Sequence, residues 1–232
     1  MKRTIRMINT GHGSVQVGGN VIFVGGRGST MVQSAMLVGN GKAATQHRDL
    51  SGSFNALDVR GLAETTWTRS DAITCEVRWD ENLLEHVVTE VHEGVLYIDI
   101  TQGLSISSAG PMNVAITGPE LQEASVSGSG GLTLRDIQQD ALSIEVSGSG
   151  DVKADGVVKE LQVEVSGSGD IKARKLKAAQ ASVKVSGSGD AKVSASESVK
   201  VRVSGSADVV VCGAPKKRDV RVTGSGDVEF ED

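Results

Sequence analysis

The chain has 232 residues, 38% of them apolar but only 3% aromatic, with 29 glycines, 3 prolines and a formal charge of −5. That length fits one or two domains, and the core must be built from Val, Leu, Ile and Ala rather than from rings. The acidic balance, spread along the chain without a basic stripe, excludes a nucleic-acid footprint. No stretch reaches the ~18 apolar residues of a membrane span, and two cysteines, Cys75 and Cys212, make no disulfide framework.

Residues 1–47 read as a Gly-rich N-terminal extension, a cap or an oligomer arm, with a boundary near Arg48 and a single domain over 48–232. The opening "MKRTIRMINTGHG" has a basic flank but not the roughly 7–15 apolar residues of an export signal, so the chain as written predicts none. "SVQVGGNVIFVGG" predicts two short strands around Gly18-Gly19-Asn20. Beyond Arg48, "NALDVRG", "ETTWTRS", "AITCEVRWD", "HVVTEVHEGVLYIDIT" and "MNVAITG" all read as strands. Cys75 shares an alternation face with Ile73 and Val77, an inward one. Trp67 and Trp79 are expected in the wider end of the core. "ENLLEH" predicts a short turn or helical corner, and Glu93-Gly94 the turn of a hairpin. His86 and His92 share strand parity, which predicts two exposed histidines on a hairpin face.

From Val126 onward the chain repeats itself. The Val before each Ser-Gly-Ser or Thr-Gly-Ser recurs at Val126, Val146, Val165, Val185, Val203 and Val222, with spacings of 20, 19, 20, 18 and 19. This period is too short for paired helices and fits one turn of a β-solenoid. In "LQVEVSGSGDIKA", Leu161, Val163, Val165, Ile171 and Ala173 share one parity and face a core. Gln162, Glu164, Ser166, Ser168, Asp170 and Lys172 share the other and face water. Gly167 and Gly169 fall on the inward parity, which predicts a bend or a close approach of backbone to a neighbouring wall. The fold class is therefore all-β: a single-stranded parallel β-solenoid with ~19-residue coils in the C-terminal half.

Stacked coils place equivalent residues in columns about 4.8 Å apart. The valines make an apolar column; Ser149, Ser168 and Ser188, with their counterparts, make a hydroxyl one. Asp151, Asp170, Asp190, Asp208 and Asp227 make a carboxylate one. Like charges at rung spacing repel, which invites a Ca²⁺ ion. Lys153, Lys172 and Lys192 stand two residues away on the same parity, however, and the calcium-roll pattern is missing. The column is read as a solvated, charge-paired face and, with the serines, as the candidate interaction ladder. Lys216, Lys217 and Arg218 follow Pro215 and are expected in a solvated turn. Cys212 aligns with Asp155, an outward or corner position. Asp and a strand follow Ser-Gly-Ser-Gly where a phosphate loop needs Lys-Ser or Lys-Thr and a helix, so that reading is discarded.

The succession "FNALDVRG", "VRWDENLLEHVVTEVHEGVLYIDI" and "VAITGPELQEASVSGSGGL", followed by SGSGD repeats, resembles the head GIN domain family, described as auto-transporter adhesins, over roughly Arg48 to Glu231. The resemblance implies a right-handed parallel β-helix, often on an exported or envelope-associated protein, and supplies no catalytic residues. No catalytic, cofactor-binding or metal-ligating residue is nominated. The expected role is a non-enzymatic structural or binding module with an unidentified protein or glycan partner. One alternative is a scaffold self-assembling through the N-terminal arm or the solenoid ends; another is a polysaccharide-active β-helix enzyme.

Overall fold

Branched aliphatics alternating with polar residues write strands, and strands dominate the computed structural model, which describes residues 8–9, 14–17, 20–23, 36–108 and 110–231. Short β1 (Ile8–Asn9), β2 (Ser14–Val17) and β3 (Asn20–Phe23) form a small antiparallel sheet, with β2 and β3 flanking Gly18-Gly19 as the sequence predicts. Then follow β4 (Met36–Val38), β5 (Ala43–His47), β6 (Ala56–Gly61), β7 (Glu64–Arg69) and β8 (Thr74–Asp80). A 3₁₀ turn, Leu84–His86, leads to β9 (Val87–His92), β10 (Val95–Ile100), β11 (Ser105–Ser107), β12 (Asn113–Gly118) and β13 (Glu123–Gly128). The repeats supply β14 (Gly131–Val146), β15 (Val152–Val165), β16 (Ile171–Gly187) and β17 (Ala191–Gly205), then β18 (Val209–Cys212), β19 (Lys217–Gly224) and β20 (Val228–Glu231).

Two parallel ladders carry the solenoid. On one wall β10, β6 and β13 stack beneath the C-terminal parts of β14 to β17, with β19 last. On the other, β12 and β7 stack beneath the N-terminal parts of β14 to β17, followed by β18 and β20. A short third wall closes each coil, with Ile137 over Gly156 and Gly156 over Leu176. At the N-terminal end the parallel rule lapses. There β9 turns back on β10 through Glu93 (φ 51°) and Gly94 (φ 80°), the predicted hairpin, while β8 lies antiparallel on β12 and β5 antiparallel on β8. Strand pairing thus crosses Arg48, and residues 43–47 belong to the main sheet.

The core is one continuous apolar column. Val126, Val146, Val165, Val185 and Val203 are each at most 2% exposed, and only Val222, on the last rung, is open at 41%. Trp67 and Trp79 are both buried in the core, on β7 and β8 of the N-terminal half. Ile73 does not join Cys75 and Val77 inside: it precedes the start of β8 and is exposed, whereas both others are buried. Burial pushes the Cys75 thiol up to about 11. Cys212 is also buried, against the outward expectation. It sits beside Ser194 where β18 runs into Gly213 (φ 93°) and Ala214 (φ 45°), and the turn breaks the alternation. His86 lies in the 3₁₀ turn rather than on a strand. Its carbonyl accepts the Thr101 N–H at 2.9 Å, so it shares no hairpin face with the exposed His92.

The repeat glycines meet the coil beneath them. A Cβ on Gly167 would stand 2.2 Å from the Gly148 carbonyl oxygen, and one on Gly148 2.4 Å from that of Gly128. The space is occupied by hydrogen bonding: the N–H groups of Ser168 and Gly169 both donate to the Gly148 carbonyl, at 2.8 and 3.1 Å. A tight corner is thereby paired across coils with no room for a side chain on that side.

Candidate functional site

Each Gly-Ser corner ends in an aspartate, and the column of aspartates has internal structure. The Asp170 N–H donates to Asp151 Oδ1 at 3.1 Å, Asp190 N–H to Asp170 Oδ1 at 3.1 Å, Asp208 N–H to Asp190 Oδ1 at 2.9 Å, and Asp227 N–H to Asp208 Oδ1 at 3.0 Å. A carboxylate on one rung thus satisfies the backbone donor of the next, a charge-assisted bond that offsets the repulsion between stacked charges. Lys172 Nζ adds contacts of 2.6 Å to Asp151 and 3.4 Å to Asp170; of the three lysines that the spacing sets beside the column, it alone makes an ion pair among the described residues. Burial pushes the Asp151 carboxyl up, but the Lys172 ammonium and the Asp170 N–H together outweigh it and hold the group below the usual carboxylate range. Among the described residues no three His, Cys, Asp or Glu side chains converge as a metal set. Ser149, Ser168 and Ser188 sit on the same edge with exposed side chains, so the candidate ladder forms one polar margin of the rod.

A second surface escaped the sequence analysis, which took charge as spread along the chain. The outward residue immediately before each repeating Val, or before Val59 on β6, stacks in register as Asp58, Ser125, Glu145, Glu164, Lys184, Arg202 and Arg221. The column beside it runs Glu123, Ser143, Gln162, Ser182, Lys200 and Asp219. A third runs Glu160, Gln180, Ser198 and Lys217. With the exception of Asp219, these columns are acidic toward the N-terminal end and basic toward the C-terminal end. Lys184 and Glu164 touch at 2.6 Å where the sign changes, and Arg202 holds Asp219 at 2.5 Å. A groove of about 800 Å³ follows the second and third columns, with Glu123 and Glu160 at one end and Lys200 and Lys217 at the other.

The open C-terminal rung corrects one more expectation. Lys217 and Arg218 are not in a loop but begin β19. Arg218 occupies the core-facing position above Val199, its guanidinium lies 4.1 Å from the Phe230 ring centroid, and its Nε donates to the Pro215 carbonyl at 3.1 Å. Phe230 packs against the end of the core. A charge at an inward position of an edge strand blunts that edge against pairing with further strands.

The profile of the family described as "Putative auto-transporter adhesin, head GIN domain" matches residues 53–215. The chain belongs to that family. Crystal structures of similar shape come from Bacteroides and Parabacteroides species. A putative adhesin from Bacteroides fragilis NCTC 9343 superposes with a TM-score of 0.70 at 22% identity, covering 84% of this chain and all of that one. A putative lipid binding protein from Parabacteroides distasonis ATCC 8503 gives 0.56 at 23%, covering 85% and 100%. A putative adhesin from the same strain gives 0.56 at 24%, covering 84% and 100%. At these identities the likeness establishes the shared fold of the head GIN domain. No curated protein matches the chain.

Proposed function

We propose that this head GIN domain is a non-enzymatic, adhesin-like module, on an exported or envelope-associated protein, that holds a repetitive glycan or protein partner along its serine–aspartate margin. The observation that carries this reading is the regular spacing of that margin. Ser149, Ser168 and Ser188 repeat one rung apart, beside aspartates whose Oδ1 atoms are committed to the backbone. Many weak, evenly spaced contacts add to useful avidity when the partner also repeats. Family membership supports the adhesive role.

The experiment is retention of soluble bacterial-envelope polysaccharides by the immobilised full chain, measured by interferometry. Replacing Ser149, Ser168 and Ser188 together with Val should weaken retention tenfold or more while the circular dichroism spectrum is unchanged. Undiminished retention, or no retention of any polysaccharide or envelope protein by the unaltered chain, would overturn the reading. The same polysaccharides, sized after incubation, test the enzymatic alternative, which shortened products would establish. End-to-end growth into a scaffold is disfavoured by Arg218, which places a charge where a further rung would stack.

A further inference from the structure

The outward columns of the β6–β19 wall make that wall complementary to itself. Its first column is acidic at Asp58, Glu145 and Glu164 and basic at Lys184, Arg202 and Arg221. Two such walls laid face to face with their rods parallel would set Glu145 and Glu164 against their own copies and the cations against theirs. Laid antiparallel, they would set each half against its opposite.

We propose that this wall is the contact surface for a second copy of the chain, joined by a two-fold axis that runs along the strands between the Glu164 and Lys184 rungs. Glu164 of one copy then lies opposite Lys184 of the other, Glu145 opposite Arg202, and Ser125 opposite Arg221. In the adjacent column Ser143 meets Lys200 and Gln162 meets Ser182. One like-charged meeting remains, Glu123 against Asp219, and Arg202 already neutralises Asp219 within its own chain at 2.5 Å. The hydroxyl residues Ser186, Ser204 and Thr223, in register along the corner side of the wall, meet hydroxyl residues of the other copy.

Three features besides charge favour a second copy as the occupant. A two-fold contact uses one patch on both partners, so every favourable pair occurs twice. Repeat spacings of 18 to 20 residues leave no loop to stand proud of the wall. Five rung steps of ~4.8 Å by about seven residues of ~3.3 Å give roughly 550 Å² per copy, or ~1,100 Å² in total, which reaches the size of a specific contact. Because the axis follows the strands, the serine–aspartate margins of both copies fall on the same side and stay open. The two grooves face each other on the opposite side. The inference is independent of the adhesive reading.

The test is sedimentation velocity of the full chain at about 20 mM and about 500 mM salt, where screening differs severalfold. A dimer at low salt that dissociates at high salt is expected. Glu145→Lys with Glu164→Lys should be monomeric, as should Lys184→Glu with Arg202→Glu, both retaining the strand spectrum. An equimolar mixture of the two double variants should recover a dimer, because the first variant's column is then basic along both halves and meets a column that is acidic along both halves in the second. A monomeric wild type at low salt, a dimer that survives either double reversal, or a mixture of folded variants that stays monomeric would each overturn the proposal.

Discussion

The two halves of the rod reach the same architecture by different means. From Val126 onward each coil repeats its neighbour, no aromatic residue appears before Phe230, and backbone corners are closed by glycine and aspartate. From Met36 to Gly118 no coil copies another, three strand pairings are antiparallel, and Trp67 and Trp79 fill spaces that no column of valines defines. Among the described residues, three buried side-chain polar atoms have no partner within the chain: Arg48 Nε, Thr65 Oγ1 and Trp67 Nε1. All three lie in the irregular half. Repetition solves each polar corner once and reuses the solution, whereas an irregular region must solve every corner separately and leaves some unfinished.

Six substitutions would break or sharpen this contrast. The largest effect is expected from Trp67→Ala, which empties a fully buried site in the irregular half; urea denaturation should show a loss of about 3–5 kcal/mol. Trp67→Phe should cost less, since it also removes the unpaired indole N–H. Next comes Gly167→Ala in the repeated half. Its methyl would fall 2.2 Å from the Gly148 carbonyl oxygen, and stability should drop by roughly 3 kcal/mol. Gly110→Ala, which adds a methyl where no atom stands within 4 Å, should change it by less than about 0.5 kcal/mol. Ile171→Val should cost only about 1 kcal/mol, because the column already accepts Val152 below and Ala191 above.

A small effect is also expected from Lys172→Met, below about 1 kcal/mol, since Lys172 and Asp151 are 45% and 43% exposed. Its pH dependence has a definite sign. Asp151 is held below its ordinary value, so its share is present above about pH 3.9 and is lost as pH falls through the folded value. Lys172, hydrogen-bonded to Asp151, is held above its ordinary value. Its share is complete below about pH 10.4 and is lost as pH rises through the folded value. Wild type and Lys172→Met should therefore differ most between those limits and converge in acid. A difference that grew below pH 3 would contradict the pairing.

How much of this was legible in the sequence follows from the same contrast. The Val126 to Val222 period announces the coils, and the parity of Leu161, Val163 and Val165 announces the core, because stacking forces like onto like. The sign change along the wall was equally visible: Ser125, Glu145, Glu164, Lys184, Arg202 and Arg221 each precede the repeating Val or its copy. It emerges only when one position is followed down the repeats instead of along each of them. Ile73, Cys212 and Arg218 could not be placed by alternation. Each sits where a strand starts, stops or forms the last rung, and there the neighbouring coil or turn decides which way a side chain faces. The same holds for His86, which stands at the seam between a helical turn and β9.

The aspartate corner has a consequence for how such a rod can change length. Asp170 asks only that an aspartate stand directly below it and a donor directly above, so any coil of this kind is a suitable neighbour for any other. Copying one nineteen-residue block in the gene would insert a floor that the storeys on either side already fit. The reach of the molecule then becomes a quantity that inheritance can lengthen or shorten in steps of ~4.8 Å, without redesigning a single joint.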